Sequence, residues 1–470
     1  MPQSISLFWF RRDLRLDDNA GLYHALKGLA GLARGSTLCP VLPIFIFDRE
    51  ILDELEDKKD ARVEFIHQAV SDLKNRLEEL GSTLLIRYGK PQEIWPPLLQ
   101  EFNIAAVYTN RDFEPYALER DQAVQQLLSS KNIPFHIYKD HVIFEKDEVL
   151  KGDGTPYTVF TPYSRRWLEK LQTQWRTIPS DDGEPQRVSY YLTSYPTEKY
   201  FAGFLKINDL SGDNLTTFKK LSNCYTLNDL GFEPSGIEFP PTSVARSTIR
   251  NYDKTRDIPS LAGTSRLGVH FRFGTISIRE KARLAQGLNA TYLNELIWRD
   301  FYSQILGNFP HVVGNPFRPQ YDRVEWRDAP EDFEKWKNGL TGYPIVDAGM
   351  RELNATGYMH NRVRMIVASF FSKHLLLDWR LGEAYFAQKL LDYDLASNSG
   401  GWQWAAGCGT DAAPYFRIFN PSEQTKKFDP EYKYIKKWVP EFGTPSYPKP
   451  MVEHTFARER CLRTYKAALQ

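Results

Sequence analysis

A chain of 470 residues is too long for one hydrophobic core, so at least two domains are expected. Hydrophobic residues at 42% and charged residues at 25% argue against wholesale disorder, and a formal net charge of +1 argues against holding nucleic acid by bulk electrostatics, so such contact needs a local basic patch. The four cysteines (Cys39, Cys224, Cys408 and Cys461) are far apart and form no CxxC pair, which offers neither a zinc site nor a disulfide framework and fits a reducing cytoplasm.

No apolar stretch approaches the ~20 residues that span a bilayer. The N-terminus MPQSISLFWFRRDLRL meets charges too early for a signal peptide, and a soluble, cytoplasmic protein is expected. SLFWF (6–10) predicts a strand that stops at the charged loop RRDLRLDDN. PVLPIFIFD (40–48) predicts a second strand ending in a carboxylate, and residues 63–80 carry apolar side chains at helical spacing. STLLIRYG, IAAVYTN (104–110) and PFHIYKD (134–140) continue the alternation. The fold expected over 1–135 is an α/β domain with a mostly parallel, Rossmann-like sheet and helices on both faces. Such sheets bind ligands beyond the carboxyl ends of their strands, although neither a GxGxxG fingerprint nor a P-loop is present.

From about Asp147 to Gly236 the composition turns to Asp, Gly, Pro, Ser and Tyr, so 136–236 is expected to be a long linker with some helix. Beyond it, amphipathic segments at 290–306, 361–379 and 384–396 predict an all-helical domain over 237–470. Aromatic residues make up 14% of the chain, which suits stacking on planar ligands and equally suits a large aromatic core.

Several stretches of the helical part carry chemistry. GTSRLG (263–268) offers hydroxyls, backbone N–H groups and an arginine in a turn, a cradle for phosphates. As a helix, NELIWRDFY (294–302) puts Glu295, Trp298, Arg299 and Tyr302 on one face, and an exposed face with a Glu295–Arg299 pair accounts for it equally well. TGYMHNRVRM (356–365) sets Tyr358, Asn361, Arg362 and Met365 on one helical face with Arg364 elsewhere. Asn361 suits a base edge and Arg362 a phosphate; in isolation a solvated helix start is the simpler account. LLDYDLA (390–396) holds Asp392 and Asp394, but no His or Cys completes a ligand set and no metal is expected. SNSGGWQWAAG (397–407) places two tryptophans around a glutamine after an apparent Asn-Ser-Gly-Gly turn, where paired glycines let backbone approach something flat.

Taken in order, FWFRRDLRLDDN (8–19), GTSRLGVHFRFGTIS (263–277), ELIWRDFY (295–302), TGYPIVDAGMRELNATGYMHNRVRM (341–365) and ASNSGGWQWAAGCGTDAAPYFRIFNP (396–421) resemble the DNA photolyase/cryptochrome flavoprotein family. The resemblance covers nearly the whole chain and is greatest to class I cyclobutane pyrimidine dimer photolyases. It implies an N-terminal α/β domain, a long linker and a helical domain that buries FAD. Tyr252, Thr264, Ser265, Arg266 and Leu267 would hold the phosphates and ribitol, with Tyr292 and Tyr358 as aromatic neighbours. Arg299, Arg364, Asp392, Asp394 and Asn398 would surround the flavin ring, Arg364 pairing with Asp392 and Asn398 facing N5. Gly268 stands where relatives commonly have serine, so one phosphate contact is expected to be missing or supplied by backbone.

The resemblance also implies a pocket for a flipped-out dimer, with Glu295, Asn361, Asn398 and Met365 as its catalytic set. Trp298 and Trp404 would clamp the lesion, and Arg256, Arg362 and Arg417 would hold its flanking phosphates. Trp402, Trp379 and Trp326 would carry electrons from the surface to the flavin. The activity implied is light-driven splitting of dimers in DNA by electron transfer from reduced FAD, in a monomer. A cryptochrome photoreceptor is the alternative, and a (6-4) photolyase a weaker one, because that type usually has paired histidines where this chain reads His360-Asn361. A second, antenna chromophore (methenyltetrahydrofolate, a deazaflavin or a flavin) is expected near 111–121 and 155–167.

Overall fold

The computed structural model describes residues 4–28, 39–178, 186–207 and 224–470. The chain forms two compact units, each drawn from three stretches: 1–145, 171–242 and 267–284 in one, and 146–170, 243–266 and 285–470 in the other. The expected linker 136–236 thus contributes to both units, and its parts 179–185 and 208–223 lie outside the described residues. Among the described residues no helix is long and apolar enough to cross a membrane.

The first unit alternates β1 (Ile5–Phe10), α1 (Ala20–Lys27), β2 (Val41–Asp48), α2 (Ala61–Glu79), β3 (Leu85–Gly89), α3 (Pro91–Glu101), β4 (Ile104–Asn110), α4 (Pro115–Ser130) and β5 (Phe135–Tyr138). The strands form one parallel sheet in the order β3-β2-β1-β4-β5, with Phe8 level with both Pro43 and Tyr108. Every residue of β1 and β2 is buried, as a sheet covered on both faces requires, and this is why those strands read as unbroken apolar runs. Asn19 and Asp60 accept backbone N–H bonds at the starts of α1 and α2. β6 (Trp175–Ile178) and β7 (Gln186–Ser189) pair separately as an antiparallel ribbon.

The sheet order reverses between β1 and β4, and most of the charged loop after β1 is buried. Asp13 and Asn19 are buried, and the Asn110 amide donates to both, at 2.6 and 2.8 Å. Arg12 reaches Asp112 at 2.8 Å and Glu114 at 3.0 Å. The switch point is therefore closed by its own charges.

The second unit is helical: α5 (Phe160–Leu171), α6 (Ala290–Asn308), α7 (Pro344–Thr356), α8 (Asn361–Ser369), α9 (Trp379–Lys389), α10 (Leu395–Ala406) and α11 (His454–Leu469), besides shorter turns. Its core gathers Trp336, Trp379, Trp402, Phe371, Phe386 and Tyr465. Two expected helices are each broken. The 361–379 segment passes from α8 into a π-turn at Phe370–His374, and Leu376 takes a left-handed φ of 54° before α9 begins. The 384–396 segment stops at an extended Leu390, and Asp394 then caps α10 through the Ser397 amide at 3.1 Å.

Candidate active site

The second unit brings most of the expected residues into two adjoining groups. In the first, GTSRLG meets two tyrosines: the Thr264 hydroxyl lies 3.1 Å from that of Tyr358, and the Tyr292 hydroxyl donates to Ser265 Oγ at 3.1 Å. Tyr252 packs edge-on against Tyr292 at 5.1 Å. Burial pushes all three phenols up, so they remain donors at neutral pH. Arg266 takes a left-handed φ of 54° that turns it out of the loop, with its guanidinium over Tyr358 at 4.2 Å and 3.9 Å from Glu352. Leu267 is not with this group in the division of the chain; it is buried in the first unit, just before the short helix Gly268–Phe273.

Arg364 makes the expected ion pair, its Nη2 lying 3.0 and 2.9 Å from the two Asp392 oxygens while Nε donates to the Met359 carbonyl at 2.7 Å. Arg299 is half-buried on α6. Asp394 serves as the cap of α10, and its Oδ1 also accepts from the Ser397 hydroxyl at 3.0 Å. Asn398, one turn into α10 and 8% exposed, donates from its amide nitrogen to the Glu383 carbonyl and to Glu383 Oε1, at 3.1 and 3.0 Å. Burial pushes the Glu383 carboxyl up, with the Asn398 bond opposing. With the nitrogen held on Glu383, Asn398 Oδ1 is left as the acceptor, and this polarity suits the N5–H of a reduced flavin. The donor set therefore fits FAD: hydroxyls and an outward guanidinium for phosphates, an ion pair, and an oriented amide acceptor.

The second group starts on α6. Glu295 pairs with Arg256. Burial raises the Glu295 carboxyl and Arg256 partly offsets the rise. Arg362 lies 2.7 Å from Asp257, and its Nη1 contacts Met365 Sδ at 3.6 Å. Glu295, Arg256, Asp257, Arg362 and Met365 thus form one continuous string. Asn361 is exposed at the start of α8. Tyr358 does not share that helix, because α7 ends at Gly357, with φ of 65°, and α8 starts only at Asn361. His360 caps α8 by accepting from the Arg362 amide at 3.2 Å, and burial lowers its pKa to about 4, so it is neutral. Two of the three expected phosphate-binding arginines are already paired with acids; Arg417 is exposed, stacked over Phe419 at 5.8 Å.

The apparent Asn-Ser-Gly-Gly turn is helical, within α10. Gly400 is needed because a Cβ there would stand 2.2 Å from the Tyr302 ring. Trp402 is buried, with ring neighbours Phe386 at 5.0 Å, Phe371 at 5.7 Å and Trp336 at 6.1 Å. Trp379 is buried under the Arg380 guanidinium, and half-buried Trp326 meets Tyr465 at 5.9 Å. Trp402 and Trp379 belong to one core, and Trp326 packs against it. Trp404 is half-buried and faces Phe419. Sequence reasoning missed Glu383, which has no local signal, and Asp257, whose signal was an acid beside Arg256.

Residues 6–181 match the DNA photolyase domain and residues 292–446 the FAD binding domain of DNA photolyase. The chain is 36% identical to the deoxyribodipyrimidine photo-lyase of Halobacterium salinarum, with 99% of each chain covered. Among solved structures, it resembles a bacterial class III photolyase from Agrobacterium tumefaciens, at 30% identity and a TM-score of 0.78, covering 100% of this chain and 98% of that one. It also resembles an archaeal photolyase from Sulfolobus tokodaii with two FAD molecules, at 32% identity and a TM-score of 0.75, covering 98% and 99%.

Proposed function

Because this chain belongs to the DNA photolyase/cryptochrome family, we propose that it uses light and FAD to repair cyclobutane pyrimidine dimers in DNA. Reduced FAD, when bound, would supply the light-driven electron-transfer chemistry that splits the dimer. The protein's part is to bind, orient and exclude water. Thr264, Ser265, Arg266, Tyr252 and Tyr292 would hold the phosphate and ribitol end. Asn398, oriented by Glu383, would offer its carbonyl oxygen to N5–H, beside the Arg364–Asp392 pair.

A fused dimer stacks and pairs poorly, so extruding it from the duplex costs less than extruding normal bases. Trp298 and Trp404 would cover its faces. Glu295 and Asn361 would hydrogen-bond its carbonyl and imide groups, where negative charge develops, with Met365 packed beside them. Arg256, Arg362 and Arg417 would hold the phosphates, which answers the near-zero net charge. Trp402, Trp379 and Trp326 would carry electrons inward to regenerate the reduced cofactor. The observation that carries this reading is the string from Glu295 through Arg256, Asp257 and Arg362 to Met365, which begins one helical turn from Trp298 on α6.

The (6-4) reading would want paired histidines at 360–361; here Asn361 takes the second position, and His360 is held neutral as the cap of α8. The second FAD of the Sulfolobus tokodaii protein, described there as a light-harvesting cofactor, supports an antenna chromophore for this chain. The deciding experiment exposes a thymine-dimer oligonucleotide to the reduced protein under near-UV or blue light, with a dark control. Light-dependent return of thymine is expected. No repair by protein shown to hold reduced FAD would move the photoreceptor reading into first place.

A further inference from the structure

Trp298 is backed by another ring. Phe160 lies parallel to it, with centroids 3.6 Å apart and an interplanar angle of 4°. Phe160 is buried, whereas the indole is half-buried. Phe301 meets Trp298 edge-on at 5.5 Å, and Tyr302 lies tilted against it at 5.4 Å. The indole thus has one face fully spent on Phe160.

Phe160 is the first residue of α5, and α5 is fastened along α6. Tyr163 packs on Phe301 at 5.2 Å, and Trp167 Nε1 donates to buried Asp300 at 2.9 Å. Just before α5, the Tyr157 carbonyl accepts from the Gln304 amide at 2.8 Å. The first N–H groups of a helix lack intrahelical partners, and here the Phe160 N–H donates to Asp411 Oδ2 at 3.3 Å. Asp411, at a left-handed φ of 47°, lies in the loop that follows α10, the helix carrying Trp404. A carboxylate at a helix start is favoured by the helix dipole as well. The loop after one proposed pocket wall therefore sets where α5 begins, and that start sets where Phe160 stands behind the other.

We infer that Phe160 and Asp411 are positioning residues of the lesion pocket: Phe160 holds the Trp298 indole in the orientation that meets a flipped-out dimer, and Asp411 holds Phe160 there. This rests on the reading of Trp298 as a pocket wall. An indole without its backing ring regains torsional freedom that must be lost again when the lesion binds. Only a flipped dimer meets the indole, so undamaged duplex is indifferent to the change.

The test uses FAD-loaded Phe160→Leu, which keeps apolar bulk but cannot stack, with FAD content and melting temperature measured alongside. Its affinity for a thymine-dimer duplex is expected to fall about tenfold, with undamaged duplex unchanged and repair within the saturated complex altered less than about twofold. Asp411→Gly tolerates the left-handed backbone but has no acceptor, and is expected to weaken lesion binding in the same selective way. Asp411→Asn keeps the acceptor and should behave as wild type. Unchanged lesion affinity in folded, FAD-loaded Phe160→Leu and Asp411→Gly would overturn the inference, as would equal losses for damaged and undamaged DNA. Trp298→Ala separates the two failures: if it too leaves lesion affinity intact, the pocket-wall reading itself falls.

Discussion

Asp257 sits against two arginines, Arg362 and Arg256. Its Oδ1 lies 2.7 and 3.2 Å from two nitrogens of Arg362 and 4.0 Å from Arg256, two of the arginines proposed to grip DNA. Binding DNA must therefore displace this carboxylate or share the guanidinium with it. The Asp257 side chain is 44% exposed, which puts the pair among surface ion pairs worth about 0.2–1 kcal/mol. Asp257→Asn should then raise affinity for undamaged duplex by about 1.4- to fivefold at low salt. If Arg362 gains a phosphate in exchange, the slope of log affinity against log salt should steepen by about 0.9. Fluorescence anisotropy over a salt series measures both, and repair at saturating lesion should change little. Glu431→Gln, at an exposed acid paired with Lys433 at 2.8 Å, controls for the mere loss of one negative charge. An unchanged slope, or an equal gain from the control, would refute the account of Asp257 as a phosphate stand-in.

Other outcomes follow from single contacts. Trp379→Phe should slow photoreduction of the oxidised enzyme severalfold while sparing repair by enzyme already reduced; equal loss of both, by absorbance and repair assays, would count against the proposed electron route. Asp392→Ala leaves the part-buried Arg364 without its carboxylate and should cost about 2 kcal/mol in denaturant melts, with faster FAD loss on dialysis. Lys373 is buried, and burial lowers its pKa from 10.5 to about 8. A lysine whose folded pKa is depressed costs stability while it stays charged, and the cost fades as pH rises from the folded value toward the unfolded one. Lys373→Met should therefore be more stable than wild type at neutral pH, by up to about 3 kcal/mol. That advantage should shrink between about pH 8 and 10.5, read from melting temperatures across the range.

The strands were legible because burial on both faces leaves only apolar residues to choose from: 40–48 was expected where Val41–Asp48 forms, and 104–110 matches β4. Helix breaks were not. Leu376 at positive φ and the Asp394 cap interrupt apolar patterns that continue straight through them, because tertiary packing and a single carboxylate outrank periodicity there. The RRDLRLDDN loop was legible as charged, but its partners were not, because they are remote; Arg12 finds Asp112 a hundred positions away. The same limit hid Glu383 from Asn398 and Phe160 from Trp298, since each functional side chain was visible by type while the residue that orients it was not.

The Trp-Gln-Trp triplet shows how one helix divides such labour. Successive residues of a helix turn by about 100°, so Trp402, Gln403 and Trp404 leave α10 in three directions. Trp402 goes into the core, against Gly382, where a Cβ would stand 2.2 Å from the ring. Gln403 is buried with its amide fully used: Oε1 accepts from the Phe317 N–H at 2.8 Å, and Nε2 donates to the Val312 and Asn315 carbonyls at 2.9 and 3.1 Å. Its backbone carbonyl also receives the N–H groups of Gly407, Cys408 and Gly409, which ends the helix. The glutamine therefore fixes the rotation of α10 against the 312–317 loop. That rotation keeps Trp402 inward, Trp404 toward Phe419 and Asn398, one turn earlier, against Glu383. A buried amide with every group satisfied tolerates no slip of the helix without leaving several polar atoms unpaired. The residue between the tryptophans thus holds in register the side chains of Trp402, the proposed electron station, and Trp404, the proposed pocket wall.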